Sequence, residues 1–377
     1  MRTGIRIRLS RREAFIIPVV FCLLMIAPGA SGKDIPAGKI DKVEGAVSVV
    51  RSDGKEVKAQ PGLSLYAGDQ ITTGKGAKAW FSLEQGKRFQ VGEEGQLAID
   101  ELSSSEVEDS QPTLRLILGY LWSKLDKIGG KPSGLELHTP TAVMGIRGTE
   151  FETVVALDAT SVVAVDEGGV EIEVDDHKAV VEQGQMIQVE VDAKPGPPEK
   201  SPAKDMRDWE GWRKKRVQML FQNLPGMAPK FAHRFSRAEQ RMGQFTEKVN
   251  QKGEEVRNGI RVVRQAKAEA DRQKIMQARK LLMHQVAEYK PLVGKFRKGL
   301  NRVRSMGKAS ERLEKFVAEN RTRYSPQQLT GIDSNLKIIS QKREELKTVI
   351  TRTVMNIRET FRELRALREE ARETGRR

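Results

Sequence analysis

A proline-rich stretch at residues 194–202 divides this chain into two parts with different hydrophobic periods. The stretch contains four prolines within nine residues, which excludes a helix or a central strand. Before it, short β-branched runs alternate with glycine turns, and after it apolar residues recur every three or four positions. We therefore expect a multidomain chain with an all-β part at residues 36–192, a linker at 193–204 and a basic helical part at 205–377.

The first 32 residues have the pattern of an export signal. Five arginines precede an apolar run at residues 15–26, and small residues follow at 27–32. The apolar run is short for a membrane-spanning helix, and an uncleaved membrane anchor is the alternative interpretation. The pattern predicts an exported protein that is periplasmic or associated with the cell envelope.

Residues of the types used in catalysis and metal binding are scarce. The single cysteine, Cys22, lies inside the export segment, so its removal leaves no disulfide and no cysteine-based zinc site. His138 and His177 are the only histidines of residues 36–192, and no third ligand stands at metal spacing. The usual nucleophile, phosphate-loop and zinc-protease motifs are missing as well. We therefore predict no cofactor, no metal site and no enzymatic activity.

Formal charge has opposite sign in the two parts. Residues 33–200 contain 18 Lys and Arg against 29 Asp and Glu, a net charge of −11. Residues 201–377 contain 43 against 21, a net charge of +22. An exported chain rarely meets nucleic acid, so we predict no such partner. The acidic and basic parts face either separate partners or each other, and the anionic candidates for the basic part are envelope phosphates, acidic glycan and the β-part itself.

The most specific motif lies at residues 137–151 and reads Leu-His-Thr-Pro-Thr-Ala-Val-Met-Gly-Ile-Arg-Gly-Thr-Glu-Phe. Pro140 removes a ladder donor and marks the start or edge of a strand. Gly145 and Gly148 bracket Arg147 and permit a bend or bulge. None of these residues forms a catalytic device, so the motif indicates a binding fold.

This motif resembles the signature of the FecR family, Thr-Pro-x-Ala-x-x-x-Val-Arg-Gly-Thr-x-Phe, with Ile146 where the family has valine. Residues 63–74 are similar to a second family landmark, Leu-x-x-Gly-Asp-x-Ile-x-Thr-Gly. Further similar pieces follow in family order at 119–122, 167–170 and 182–185. FecR proteins are envelope regulators, and the resemblance implies an extracytoplasmic all-β sandwich or roll.

The motif also contains the candidate residues of a partner surface, Thr139, Arg147, Thr149 and Glu150. Two interpretations of Arg147 stay open. In the first, Arg147 is a structural cation that pairs with Glu150 or Glu152 and holds the bend. In the second, Arg147 belongs to a surface that binds a protein or polysaccharide partner.

The helical part contains a heptad seam in its last helix, which Ser325 and Pro326 are expected to begin. The seam residues are Leu336, Ile339, Leu346, Ile350, Ile357 and Leu364. Their spacings of three and four are completed by polar Arg343, Thr353 and Thr360. The pattern predicts a coiled coil or an antiparallel bundle, with the seam used for self-association or for packing within one chain.

Earlier helices are expected at residues 205–221 and 237–289. Pro291 is expected to break or kink the chain before a further helix at 296–319. Four helical segments would then build an antiparallel bundle of long helices.

These features favour a non-catalytic cell-envelope scaffold whose β-domain binds a protein or polysaccharide and whose helical tail oligomerises or spans a distance. The alternative is a membrane-anchored FecR-type signalling regulator of transport or transcription. FecR-type sigma regulators hold the sigma factor with a cytoplasmic segment, whereas only about 12 residues precede the apolar run here. Hydrolysis by two carboxylates is a third possibility, because spacing in sequence does not give spacing in space.

Overall fold

A computed structural model describes residues 36–100, 112–128, 131–132 and 134–374 of this chain. The export segment predicted at residues 1–32 lies outside the described residues. Strands make up the described chain up to residue 200, and three long helices follow. The predicted fold class, an all-β sandwich or roll followed by a bundle of long helices, is therefore confirmed.

In chain order the strands are β1 (Gly38–Glu44), β2 (Val47–Val50), β3 (Glu56–Lys58), β4 (Ser64–Leu65), β5 (Gln70–Thr73), β6 (Lys78–Leu83), β7 (Lys87–Val91), β8 (Gln96–Ile99), β9 (Thr113–Leu125), β10 (Lys127–Ile128), β11 (Lys131–Pro132), β12 (Gly134–His138), β13 (Val143–Arg147), β14 (Glu150–Val155), β15 (Ser161–Glu167), β16 (Gly169–Val174), β17 (His177–Glu182), β18 (Gln185–Val189) and β19 (Glu199–Lys200). The helices are α1 (Trp209–Ala268), α2 (Arg272–Asn320) and α3 (Pro326–Thr374), with short 3-10 turns at Lys204–Met206 and Arg321–Arg323.

Seventeen of the nineteen described strands form two sheets that share β9, and β10 pairs with β11 in a separate ladder. The first sheet has the order β4-β1-β6-β7-β9-β14-β15-β18-β19. The second has the order β3-β2-β5-β8-β9-β12-β13-β16-β17. The first half of β9 pairs in the second sheet and its second half pairs in the first, so the two layers are covalently continuous.

Gly119 allows β9 to pass from one sheet to the other. Its φ of +96° lies in the left-handed region, and a Cβ there would stand 2.6 Å from the Gly95 Cα. A larger residue would be strained and would collide with backbone. Apolar side chains alternate inward on both sheets and fill one core between them, which includes Phe81, Phe89 and Phe151.

The C-terminal end of the proline-rich segment lies against the β-domain. Glu199 and Lys200 form β19, which pairs with β18 at the sheet edge, and Ser201 is buried. Because proline lacks a ladder donor, the segment is confined to such an edge. The domain boundary at residues 193–204 stays a prediction.

The three helices pack into a bundle with α1 at its centre. Consecutive helices run antiparallel, so α1 and α3 run in the same direction. Gly253 of α1 faces Tyr289 of α2, and the Arg257 guanidinium donates to Thr360 Oγ1 of α3 at 2.8 Å. With 60 residues, α1 is about 90 Å long.

Two helix ends expected from the sequence are placed differently in the structure. The helix expected at 237–289 is interrupted at residues 269–271, where Ala270 has a φ of +54° and Asp271 caps α2 by accepting hydrogen bonds from two amides. Pro291 does not end the helix, because α2 continues through it. The proline removes only one backbone N–H donor from the helix. Likewise, α1 continues through two prolines, with a kink at Asn223.

The last helix begins where the sequence predicts. The amide of Gln328 donates to Ser325 Oγ at 3.3 Å and the amide of Ser325 donates to Gln328 Oε1 at 2.9 Å. This reciprocal pair is a capping box. Among the described residues, no helix combines the length and the apolar character that crossing a bilayer requires.

The structure places the heptad seam inside the bundle of one chain. Ile339, Leu346, Ile350 and Leu364 are buried, and Leu336 and Ile357 are partly buried against the same core. The seam is therefore occupied by packing within the chain.

Replacing Ile350, which is 3% exposed, by Asp should destabilise the helical bundle by about 3 kcal/mol or more. The reason is that a carboxylate would be buried in an apolar core without a partner. Urea unfolding followed by circular dichroism at 222 nm would measure the loss. Arg352→Asp, an exposed position of the same helix, should leave the midpoint nearly unchanged, and equal losses from both variants would contradict the packing described here.

Candidate functional site

The signature motif spans β12, β13 and β14 and the two turns between them. β12 and β13 are antiparallel with His138 opposite Val143, so residues 139–142 form a tight turn. β14 belongs to the other sheet, where it pairs with β9 and β15. The motif therefore connects the two layers of the sandwich.

Thr139 and Thr141 hold the first turn together from the inside. Thr139 Oγ1 accepts a hydrogen bond from the Ala142 amide at 3.0 Å, and the Thr139 amide donates to the Ala142 carbonyl at 2.9 Å. Thr141 Oγ1 donates to Ser161 Oγ at 2.7 Å. Both threonines are fully buried, so Thr139 supports the turn and exposes no surface to a partner.

Gly148 and Thr149 form the second turn. Gly148 has a φ of +59°, a conformation that favours glycine. Thr149 Oγ1 lies 3.0 Å from both the Arg147 carbonyl and the Gly169 carbonyl, and the side chain is buried. The hydroxyl ties this turn to β16, so Thr149 also has a structural position.

Arg147 is the one candidate residue of the four that faces solvent. The first interpretation paired Arg147 with Glu150 or Glu152, whereas in the structure the cations that hold these carboxylates are Lys124, Lys204 and Arg207. Arg147 is in the last position of β13, on the outer face of the second sheet, where Gly145 is also exposed. The strand alternation therefore turns its side chain away from the sandwich core.

Glu150 is held by three donors. Lys124 Nζ approaches its carboxylate at 2.7 Å, Lys204 Nζ at 2.6 Å and the Trp122 indole at 3.1 Å. Partial burial opposes ionisation of Glu150, but these hydrogen bonds outweigh it and lower its pKa to about 2. Glu150 therefore links β9 to the segment that leads into α1.

Glu152 lies on the same face and anchors the start of the helical part. It accepts hydrogen bonds from the Tyr120 hydroxyl at 2.7 Å, Arg207 Nη1 at 2.8 Å and the Trp209 indole at 2.8 Å. Arg207 also reaches Asp166 at 2.7 Å. The first turn of α1 is therefore positioned by a carboxylate of β14.

These contacts belong to a larger set of ion pairs between the β-domain and the helical part, which we call the ion-pair junction. Its cations are Lys204, Arg207, Arg213, Arg216, Arg234, Arg237, Arg241, Lys298 and Arg302, and the His233 ring also contacts Asp192. Its carboxylates are Glu94, Glu136, Glu150, Glu152, Asp158, Asp166, Glu173, Asp175, Asp176, Glu190 and Asp192.

Arg216 has the most complete set of partners in the junction. Its Nε donates to Asp158 at 2.8 Å, one Nη donates to Thr160 Oγ1 at 2.6 Å and the other to Glu190 at 3.1 Å. Arg216 and Asp158 are both buried. A buried charge pair of this kind fixes geometry, because any displacement leaves a charge without its partner.

Arg234 connects α1 directly to the signature motif. Its guanidinium donates to the Thr141 carbonyl at 2.9 Å, and the side chain is 3% exposed. The motif turn is thus a structural support for helix docking, in addition to its role within the sandwich.

The histidines and carboxylates do not assemble a metal site among the described residues. His138 is buried and its Nε2 lies 2.6 Å from Glu136, which Lys298 of α2 also approaches at 2.9 Å. Burial opposes ionisation of Glu136, but hydrogen bonds from His138 and Lys298 lower its pKa to about 2. His177 is exposed at the start of β17.

Sequence reasoning did not identify the individual members of the ion-pair junction. The opposite charges of the two parts were the available signal, and one of its two interpretations was that the parts face each other. Which carboxylate meets which arginine depends on the sheet register and on the kink of α1, and neither follows from composition. Arg207, Arg216 and Arg234 were therefore missed.

Replacing Gly148 by Val should destabilise the β-domain by about 1–2 kcal/mol or more, because a β-branched residue is strained at positive φ. Thermal unfolding would measure the change. Gly145→Val is the matched control, since a Cβ at Gly145 meets no atom within 4 Å. If the two variants lose equal stability, the backbone conformation of Gly148 is not what the motif requires.

Acid should weaken the contacts of Glu150 through its own titration. A carboxylate whose pKa is lowered contributes stability at neutral pH, and that contribution disappears as pH falls from about 5 toward 2. Urea unfolding at pH 7, 5 and 3 should therefore show a smaller loss of stability in Glu150→Gln than in wild type. The control is Glu199→Gln, at an exposed carboxylate of β19, which should lose as much unfolding free energy between pH 7 and pH 3 as wild type. If Glu150→Gln loses as much as wild type too, Glu150 does not make the contribution described here.

A comparison with protein families agrees with the motif. The family model described as FecR protein matches residues 69–171. Two solved structures described as a "putative anti-sigma factor" from Parabacteroides distasonis are similar, at 16% and 14% identity, each covering 36% of this chain with a TM-score of 0.31. This chain spans 61% of the length of each of those structures. No curated protein matches the chain. The matched segment contains β9 and β12 to β15, together with the signature turns, so the match to the FecR family covers this part of the β-domain.

Proposed function

We propose that this protein is a non-enzymatic regulator of the FecR type, whose β-domain receives a partner in the cell envelope. The FecR match over residues 69–171 carries the proposal. The described residues contain no cluster of three metal-binding side chains, and the polar residues of the signature motif are used for turns and for helix docking. A binding and signalling role needs neither a cofactor nor a catalytic group.

The partner surface is proposed to be the outer face of β13, β16 and β17. Arg147, Glu171, Lys178 and Val180 are exposed there, and Val180 retains 57% of its surface. Helix α2 lies beside this face, because Lys298 pairs with Glu136 of β12 and Arg302 pairs with Glu173 of β16. A partner bound at Arg147 would therefore contact the β-domain next to the helix.

Helix α2 connects this face of the β-domain to the helical bundle. Helix α2 contacts β12 and β16, which are the two neighbours of β13 in the sheet. A change in strand position or in charge at this face would alter the ion pairs of α2. We propose that this coupling transmits partner binding to the helical bundle, as a regulator requires.

An envelope scaffold is the second candidate, favoured by the apolar surface of the distal half of the bundle. Val262, Met276, Leu281 and Met283 are between 46% and 73% exposed near the turn that joins α1 to α2. Apolar side chains exposed at one end of a long bundle are suited to self-association or to a protein contact. A scaffold would use that end to connect copies of the chain or to reach a distant partner.

Deletion of the gene in its native organism separates the two candidates. For a regulator, we expect a defined set of transcripts to change and to return with the wild-type gene. Arg147→Glu should behave like the deletion, whereas Lys58→Glu, an equal charge change on exposed β3 at the other edge of the same sheet, should behave like wild type. RNA sequencing and immunoblots for protein level would measure this.

An unchanged transcript profile in the deletion strain would overturn the regulator proposal. If the same strain lost envelope integrity, and if replacing Met276 and Met283 by Ser reproduced that loss, the scaffold candidate would be supported instead.

A further inference from the structure

Four arginines from two helices surround one aspartate where the β16–β17 turn meets the bundle. Asp175 occupies that turn, with Arg234, Arg237 and Arg241 on α1 and Arg302 on α2. Arg241 Nη1 donates to Asp175 at 2.8 Å, whereas the other three guanidiniums lie 3.3 to 3.6 Å from its carboxylate. Charge-assisted hydrogen bonds are normally about 2.7–2.9 Å long, so Asp175 satisfies only one of the four well.

The remaining carboxylates make up only part of the deficit. Arg237 also pairs with Asp192, Arg241 with Asp176, and Arg302 with Glu173 at 3.4 Å. Arg234 has no carboxylate besides Asp175 among the described residues, and its other hydrogen bond goes to a carbonyl. The Nε atoms of Arg234, Arg237 and Arg302 are buried without an acceptor among the described residues.

Buried donors without acceptors are uncommon in folded proteins, because each one loses its hydration without compensation. Each guanidinium has five N–H donors, and the three buried Nε–H groups find no acceptor among these carboxylates. The arginine cluster therefore lacks a hydrogen-bond acceptor for these buried N–H groups.

A cavity lies where that acceptor would fit. Asp175 and the four arginines are among the residues that line a cavity of about 40 Å³, and apolar residues including Met242 and Phe245 form much of its wall. One water requires about 10–15 Å³ measured in this way, so the space suits a group with several oxygens. Burial lowers the pKa of Arg234 to about 10, which leaves it charged at neutral pH in surroundings of low polarity that strengthen ionic contacts.

We propose that this arginine-lined cavity, formed by Asp175, Arg234, Arg237, Arg241 and Arg302, binds a small oxyanion such as phosphate or the phosphate group of a larger molecule. Planar guanidiniums are the preferred partners of such oxygens. The anion would accept hydrogen bonds from both helices beside the β16–β17 turn. Its binding would therefore stabilise the docking of the helical bundle on the β-domain, by the linkage between ligand binding and folding.

The test measures the thermal midpoint of the full chain in potassium phosphate from 0 to 20 mM, with potassium chloride added to constant ionic strength. Wild type should gain about 2–4 °C relative to chloride alone. Arg302→Gln should lose this gain. Arg312→Gln should keep it, because Arg312 also joins α2 to the β-domain, through Gln96 and the Ile117 carbonyl, but does not line the cavity.

A second variant tests the cavity without removing charge. Ala238 lines the cavity on α1 and is partly exposed, so Ala238→Leu should fill the space and abolish the phosphate effect while all four arginines remain. This variant keeps the test decisive if Arg302→Gln does not fold. Equal responses to phosphate and chloride in wild type, or an undiminished response in Ala238→Leu, would overturn the proposal.

The source of the oxyanion is resolved by a further arm with glycerol 1-phosphate in place of phosphate. An equal gain in midpoint would support a site open to the phosphate group of a larger molecule. A gain with inorganic phosphate alone would support a site for the free anion. The outcome does not depend on whether the protein is a regulator or a scaffold, because the measurement concerns the isolated chain.

Discussion

Carboxylates of the β-domain meet arginines and lysines of the helices, and the placement of the two parts depends on these ion pairs. Apolar contact between them is small among the described residues, since one core is formed by β-domain residues and the other by the helices, to which the sandwich adds Ala159 and Val191 and the partly buried Leu157. Buried ion pairs contribute little net stability but penalise wrong arrangements strongly. Arg216 with Asp158 and Arg207 with Glu152 therefore determine the register of docking.

The sandwich supplies these carboxylates at fixed positions because β9 belongs to both sheets. Trp122 and Tyr120 of β9 donate to Glu150 and Glu152 of β14, so the sandwich itself orients both acids. Gly119 makes the crossing of β9 possible. The crossing of β9 at Gly119 contains no charged residue. It nevertheless helps to position the start of α1, because it places the residues that orient Glu150 and Glu152.

The fold class could be predicted from the sequence because it depends on local signals: glycine turns, the proline-rich segment and the heptad seam. The turn at residues 269–271 was missed, since its signals are a single Asp271 cap and an alanine at positive φ within an otherwise helical pattern. The role of Arg147 could not be derived either. Its expected partner Glu150 was close in sequence, but β-sheet alternation and Lys204, 54 residues away, decided the pairing.

The polar character of the ion-pair junction also bears on how the proposed regulator could work. Interfaces between domains that are rich in charge resemble transient protein contacts more than they resemble a hydrophobic core. Each part here has its own apolar core, so loss of the ion pairs would expose mostly polar surface. Separation of the two parts would then cost less free energy than unfolding either of them.

A partner or an anion that binds the junction arginines would shift the equilibrium between the docked and undocked states. The size of the shift is set by the difference in its affinity for the two states. The same charges that position the helices are therefore the groups through which a ligand can control them.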